Sequence, residues 1–168
     1  MDSENANKSK KKKTSNIIQI CIGVLAVMLA ALIIVMMGIV SSIQGTARVV
    51  NYAGLVRGKT QRIIKLEISG QPEDGMIQDI EAFVDGLRNG NGELGLVRLD
   101  DGAFQSKMQE LDDYFAALHD EILRVREVGY ENTEIIDKSE RFFEICDEAT
   151  GLAEAYSQRK ASSLTVIE

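Results

Sequence analysis

The sequence has few of the residues that most enzyme chemistry requires. It contains one histidine, two cysteines, one proline and no tryptophan among 168 residues. Two cysteines cannot form a disulfide framework or a four-ligand zinc site, and a single histidine excludes most metal-ion and catalytic-triad chemistry. A di-metal enzyme built on a helical bundle needs Glu-x-x-His pairs, but Ala116 stands three residues before His119. We therefore expect a protein that is not an enzyme and that holds no metal and no cofactor.

Charged residues are absent from residues 14–47, and this gap divides the chain. Residues 1–16 carry five lysines and two acids, whereas residues 48–168 carry 14 basic and 24 acidic residues. The sequence pI of about 4.9 argues against nucleic-acid binding, which requires a basic surface. The distribution predicts a basic tail (1–16), a membrane segment (17–43) and an acidic domain (44–168), whose many acids are expected to form a solvated helix face.

Residues 20–40 form an unbroken run of 21 apolar residues. As a helix this run would be about 31 Å long, which matches the hydrocarbon core of a bilayer. A cleaved signal peptide is the alternative interpretation, although its apolar region normally spans only about 7–15 residues. The lysines that precede the run place the N-terminus in the cytoplasm by the positive-inside rule. The sequence thus predicts a single-pass protein of the inner or plasma membrane, with everything after about residue 43 extracytoplasmic.

From residue 48 onward the apolar residues recur at helical spacing, and no alternating strand pattern is present. The first predicted helix ends near Ile68, the second covers about residues 74–87, and a loop follows at residues 89–92. The third and fourth helices carry apolar seams with spacings of 4 and 3, which are typical of left-handed helix packing. We predict an all-α, up-down four-helix bundle. Its predicted core positions are Val49, Val50, Ala53, Val56, Thr60, Ile63 and Ile64; then Met76, Ile80, Phe83 and Leu87; then Phe104, Met108, Leu111, Phe115, Leu118, Ile122 and Val125; and finally Ile135, Ser139, Phe142, Cys146, Ala149, Ala153 and Tyr156.

The first helix of the bundle differs from the rest of the acidic domain. Residues 48–65 include five basic residues and no acid. Three of the basic residues lie away from the apolar face, whereas Arg57 lies at its margin, on the side of Gly54. Gly54 and Gly58 each cost about 1 kcal/mol relative to Ala inside a helix, which indicates the close approach of another backbone or a ligand. Arg57 is thus either a ligand-binding residue or a structural one that packs its stem on the core and extends its head to solvent or an acid.

Residues 44–62, QGTARVVNYAGLVRGKTQR, resemble the signature of two groups of bacterial receptors. These are the nitrate/nitrite-sensor histidine kinases and the type IV pili methyl-accepting chemotaxis transducers. Both carry an Asn-x-Ala-Gly-x-x-Arg stretch, with a further Arg five residues on, at the start of an extracytoplasmic four-helix bundle. The residues that match in register are Asn51, Ala53, Gly54, Arg57 and Arg62.

The resemblance implies a homodimer in which Arg57 and its symmetry mate hold one small inorganic anion. Backbone near Gly54 would help to hold the anion. The candidate ligand-binding residues are therefore Arg57, Gly54, Asn51 and Arg62. Nitrate sensors tend to carry a basic residue at the position of Tyr52, so the site in this chain is expected to hold less positive charge.

Members of these groups also continue into a second membrane helix and a kinase, cyclase or chemotaxis output domain. The sequence up to Glu168 includes neither, so we expect the input fragment of a longer receptor or a free-standing single-pass protein. The predicted function is a sensory input module with a possible downstream signalling partner. The alternative is a membrane-anchored interaction protein whose heptads bind partner helices and which has no small ligand. An output domain encoded after residue 168, or by a neighbouring gene, would favour the sensor.

Overall fold

The computed structural model describes the backbone of residues 2–165 and the side chains of residue 16 and residues 18–162. The predicted basic tail therefore lies almost entirely outside the described side chains, as do residues 163–168. Within the described backbone there is no β-strand, and the all-α prediction is confirmed. The elements are α1 (Asp2–Ile68), α2 (Asp74–Asn89), α3 (Gly102–Val128), a 3-10 turn (Tyr130–Asn132) and α4 (Ile135–Thr165).

The chain divides into two compact units, Met1–Ser42 and Ile43–Glu168. The first unit contains the apolar part of α1, whose length and mean hydropathy of 3.1 suffice to cross a membrane. Nearly all of the described large apolar side chains of this part are exposed, as lipid-facing side chains of a single span would be. By length and composition, this is a candidate membrane-spanning helix.

The second unit is an up-down bundle in which each helix runs antiparallel to its neighbours. The side-chain pairs between helices establish this direction, because rising residue numbers on one helix meet falling numbers on the next. The pairs are Tyr52–Phe83 and Lys59–Asp79 between α1 and α2, Asp74–Arg126 and Arg88–Asp112 between α2 and α3, Lys107–Glu148 and Glu121–Lys138 between α3 and α4, and Thr46–Ser157 and Arg57–Asp147 between α1 and α4.

The predicted core seams of α1, α3 and α4 are confirmed almost completely. All seven predicted positions of α3 are buried, as are six of the seven in α4 and six of the seven in α1. The exceptions, Val50 and Tyr156, are half-buried and pack against the core. A long helix with a regular apolar seam buries most apolar surface when that seam faces inward, so the seams determine the rotation of these helices.

The predicted seam of α2 is wrong at two of its four positions. Ile80 and Leu87 are buried as predicted, but Ile77 and Val84 accompany them, whereas Met76 and Phe83 are only half-buried. Both sets have helical spacing and share Ile80 and Leu87, so periodicity alone does not distinguish them. The branched aliphatic side chains fill the narrow interior, and the bulkier pair packs at the edge of the core.

Two carboxylates are buried at the end of the bundle where α1 and α3 finish. Glu67 accepts hydrogen bonds from Arg126 Nε at 3.0 Å and from Nη2 at 2.5 Å. Glu121, only 2% exposed, accepts from Lys138 Nζ at 2.6 Å and from the backbone N–H of Glu134 at 3.0 Å. These hydrogen bonds, that from Lys138 above all, lower the pKa of Glu121 below its ordinary value. The expectation that the acids of the later helices form a solvated face is wrong for Glu121.

The loop between α2 and α3 is anchored on α1. Gly95 has a φ of 64°, in the left-handed region that favours glycine, and a Cβ at this position would collide with the guanidinium group of Arg48. That guanidinium donates through Nη1 to the carbonyl oxygen of Leu94 at 3.3 Å. Within the loop, Asn91 and Leu96 exchange two backbone hydrogen bonds of 2.9 and 2.8 Å. The loop thus follows the surface of α1 at the level of Arg48.

Candidate functional site

Arg57 is a residue of α1, and its guanidinium group contacts two side chains of α4. Nη1 donates to Asp147 Oδ1 at 2.5 Å, and the guanidinium carbon lies 5.1 Å from the ring centroid of Phe143. The Arg57 side chain is 35% exposed and that of Asp147 is 63% exposed, so water reaches both charged groups. An ion pair this exposed contributes only about 0–1 kcal/mol to stability. Arg57 is therefore positioned by α4 and still accessible to a ligand.

Beside this pair, α1 presents an uncovered surface, which we call the open α1 strip; it comprises Ala47, Asn51, Gly54, Leu55 and Gly58. Gly54 is half-buried and the other four residues are exposed. A Cβ built at Gly54 or Gly58 would meet no atom within 4 Å. Neither glycine is therefore required for packing within the protomer, although each weakens the helix. The two uncovered glycines permit another helix to approach closely at their positions.

The four candidate ligand-binding residues do not converge within one protomer. Gly54 lies one turn before Arg57, on the same side of α1. Asn51 and Arg62 are exposed, and at 100° per residue they lie about 120° and 140° around the helix from Arg57. A single ligand that contacted all four residues would need side chains from more than one copy of the chain.

Two other basic residues of α1, Lys59 and Arg48, have partners elsewhere. Lys59 Nζ donates to Asp79 Oδ2 at 2.5 Å and lies 5.1 Å from the ring centroid of Phe83, both on α2. Arg48 is engaged by the loop between α2 and α3. Lys59 thus meets an acidic neighbour, and Arg48 meets a backbone carbonyl. Arg57 differs from them because its pair borders the open α1 strip.

No protein-family model matches the chain, and no curated protein matches it significantly. Among solved structures, the chain is similar to the ligand-binding domain of the Pseudomonas aeruginosa nitrate receptor McpN. The TM-score is 0.55 and the sequence identity 16%, and the match covers 64% of this chain and 94% of that domain. The likeness is one of fold. It supports, at that level, the resemblance to sensor domains predicted from the sequence.

The remaining clusters of polar side chains are weaker candidates for a ligand site. Within the described side chains, no group of three or more His, Cys, Asp or Glu residues could hold a metal ion. A cleft of about 310 Å³ lies between α2 and α3. Its polar side chains already contact one another: Arg126 pairs with Asp74 at 2.6 Å, and His119 lies 3.5 Å from Glu81. The cleft therefore offers a ligand less than Arg57 does.

Asp147 and Phe143 were not predicted as neighbours of Arg57. Their four-residue spacing on α4 places them on one side of that helix, which was the available signal. For a single protomer, the Arg57–Asp147 pair agrees with the structural interpretation of Arg57, whose head was expected to meet an acid. That interpretation gives no reason for Gly54 and Gly58 in the open α1 strip.

Proposed function

We propose that residues 44–168 form the extracytoplasmic sensor of a single-pass receptor in the cell membrane. Two copies of the chain bind one small inorganic anion, such as nitrate, between their Arg57 side chains. The chain is an input module and not an enzyme, and a further domain or a separate protein supplies the output. Asn51 and Arg62 contribute from the exposed side of α1, and Gly54 allows the two copies to approach.

The observation that carries this proposal is the position of Arg57 beside the open α1 strip. Gly54 and Gly58 have open space where a side chain would stand, so α1 of a second copy can bring its backbone close at these two positions. A two-fold axis near Gly54 brings the two Arg57 side chains towards each other. Two guanidinium groups repel unless an anion lies between them, and their planar donor forks suit a trigonal oxyanion.

The fold supports the same conclusion. The similar solved structure is described as the ligand-binding domain of a nitrate receptor, and a membrane-spanning candidate precedes the bundle in this chain. Because the anion would lie between the two copies, the geometry of the dimer would depend on the concentration of the anion. A small shift of α1 could then carry the signal, because the same helix carries both Arg57 and the apolar segment.

The alternative function, a membrane-anchored interaction protein, has less support from the structure. It requires that the heptad seams bind partner helices. The seam residues of α3 and α4 are instead buried against the other helices of the same bundle, including Phe104, Met108, Phe142 and Cys146. They are not available to a partner unless the bundle opens.

The test is thermal unfolding of the full chain in lipid nanodiscs, followed by circular dichroism, with and without sodium nitrate at constant ionic strength. Nitrate at 100 times its dissociation constant should stabilise the bundle by about 2.7 kcal/mol. Arg57→Ala should abolish this stabilisation and leave the helices intact. Without nitrate, its dimer should be as tight as that of the wild type or slightly tighter, because two facing positive charges are gone.

The matched control is Arg141→Ala, which removes an exposed arginine paired with Glu110 and Glu144 on another side of the bundle. It should respond to nitrate as the wild type does, and Arg62→Ala should lose less affinity than Arg57→Ala. If Arg57→Ala responds normally to nitrate, or if it unfolds the bundle, Arg57 is a structural residue and the proposal is wrong.

A further inference from the structure

Within one protomer, Arg57 already binds an anionic group, the carboxylate of Asp147. Asp147 Oδ1 accepts from Arg57 Nη1 at 2.5 Å, and the two residues lie on different helices. Asp147 takes the Nη1 donor, and an oxyanion bound in a bidentate manner to the two Nη groups needs the same donor. Asp147 and a bound anion therefore compete for Arg57.

Because both side chains reach water, the separation of Asp147 from Arg57 costs little free energy. Asp147 is 63% exposed, so its carboxylate can return to water when it leaves Arg57. The stack of the guanidinium group on Phe143, at 5.1 Å, involves the ring face and does not use the N–H donors. Arg57 can thus change its anionic partner while Phe143 still holds it at the edge of α4.

We infer that Asp147 is an internal competitor, which neutralises Arg57 in the absence of ligand and which an external anion must displace. The inference rests on the proposed function and adds a regulatory residue to the same site. It sets a threshold, because anions too weak to replace a carboxylate leave Arg57 paired. It also gives binding a structural consequence, since the displaced Asp147 no longer links α4 to α1.

The loss of this link is local. Thr46 Oγ1 and Ser157 Oγ, 3.3 Å apart, connect α1 and α4 about three turns away and do not involve Arg57. Anion binding therefore replaces a contact between α1 and α4 of one protomer with a contact between the α1 helices of two protomers. The segment of α4 around Asp147 becomes freer to move relative to α1.

The experiment measures nitrate affinity by isothermal titration calorimetry on the full chain in detergent micelles, for the wild type and three variants. An exposed ion pair of this kind shifts an equilibrium about 1.4- to 5-fold. With one Arg57 from each copy at the site, Asp147→Asn should bind nitrate about 2- to 25-fold more tightly. Asp147→Glu, which restores the carboxylate, should remain within about twofold of the wild type.

Glu140→Gln is the matched control, because it removes the same charge two turns earlier on the exposed side of α4. Its affinity should change less than twofold. If Asp147→Asn binds nitrate no more tightly than the wild type does, or if Glu140→Gln tightens binding equally, Asp147 is not a competitor, although the anion site stands. If neither the wild type nor Asp147→Asn binds nitrate, the proposed function fails and this inference fails with it.

Discussion

Removal of the lysine that neutralises buried Glu121 should destabilise the bundle far more than removal of an equivalent surface lysine. In Lys138→Met, the carboxylate of Glu121 would stay in a site only 2% exposed and keep only the Glu134 N–H as a close donor. Breaking a buried pair by deleting one partner costs about 3–5 kcal/mol. Arg124 Nη1, at 3.7 Å, can move closer and partly compensate, so we expect the lower end of that range. A loss of about 3 kcal/mol should lower the Tm by about 10 °C for a domain of this size.

The cost should also depend on pH in a defined direction. In the wild type the pKa of Glu121 lies below its ordinary value of 4.5, so its stabilising contribution is present above that value and is lost as the pH falls through the folded-state pKa. In Lys138→Met the main cause of the lowering is gone, and burial acts to raise the pKa instead. The difference in unfolding free energy between the two proteins should therefore be largest at neutral pH and should shrink as the solution is acidified.

The assay is urea unfolding of the full chain in detergent micelles at several pH values, followed by circular dichroism. Lys59→Met is the matched control. Lys59 also pairs with a carboxylate at 2.5 Å and is 29% exposed against 27% for Lys138, but its partner Asp79 is 53% exposed. The control should lose less than about 1 kcal/mol. Equal losses for the two variants, or a loss for Lys138→Met that does not change with pH, would refute the argument from burial.

Three further outcomes are expected. Gly54→Ala should stabilise the protomer by up to about 1 kcal/mol in thermal unfolding, because its Cβ meets open space. Gly54→Leu should leave the protomer folded but prevent the nitrate-dependent dimer, which light scattering measures. A normal dimer of Gly54→Leu would contradict this expectation. Burial raises the pKa of the Cys146 thiol to about 12, so in a Cys21→Ser background it should react with a thiol reagent at neutral pH only after denaturation. Arg57→Lys should weaken nitrate binding by about 1–3 kcal/mol in calorimetry, because lysine keeps the charge and loses the planar donor fork; unchanged affinity would mean that charge alone suffices.

How far the sequence determines the fold depends on helix length. The seam of α3 has seven positions over 27 residues, and any other rotation of the helix would expose apolar side chains of this seam. The 16 residues of α2 carry two apolar stripes that share Ile80 and Leu87, so periodicity could not decide between them. The choice comes from packing, since Phe83 contacts Tyr52 in an edge-to-face arrangement at 4.9 Å at the rim of the core.

The candidate site divides in the same way between local and long-range information. The position of Arg57 at the margin of the apolar face follows from its own helix and was predicted. Asp147 is 90 residues away, and its pairing depends on the register of α4 against α1. Short-range apolar periodicity does not determine that register. Glu140 and Glu154 share the exposed side of α4 at seven-residue spacing and were equally plausible partners. Likewise, the burial of Glu121 depends on Lys138 and the turn before α4.

The hydrogen-bonded amides of Asn91 and Leu96, in the loop between α2 and α3, can report the displacement of α1. Both amides are hydrogen bonded within the loop, so they exchange with deuterium only when the loop opens. Arg48 of α1 donates to the Leu94 carbonyl inside the same loop, and any displacement of α1 at this level pulls on that contact. The rate of deuterium uptake at these two amides therefore reports movement of α1 without an attached label.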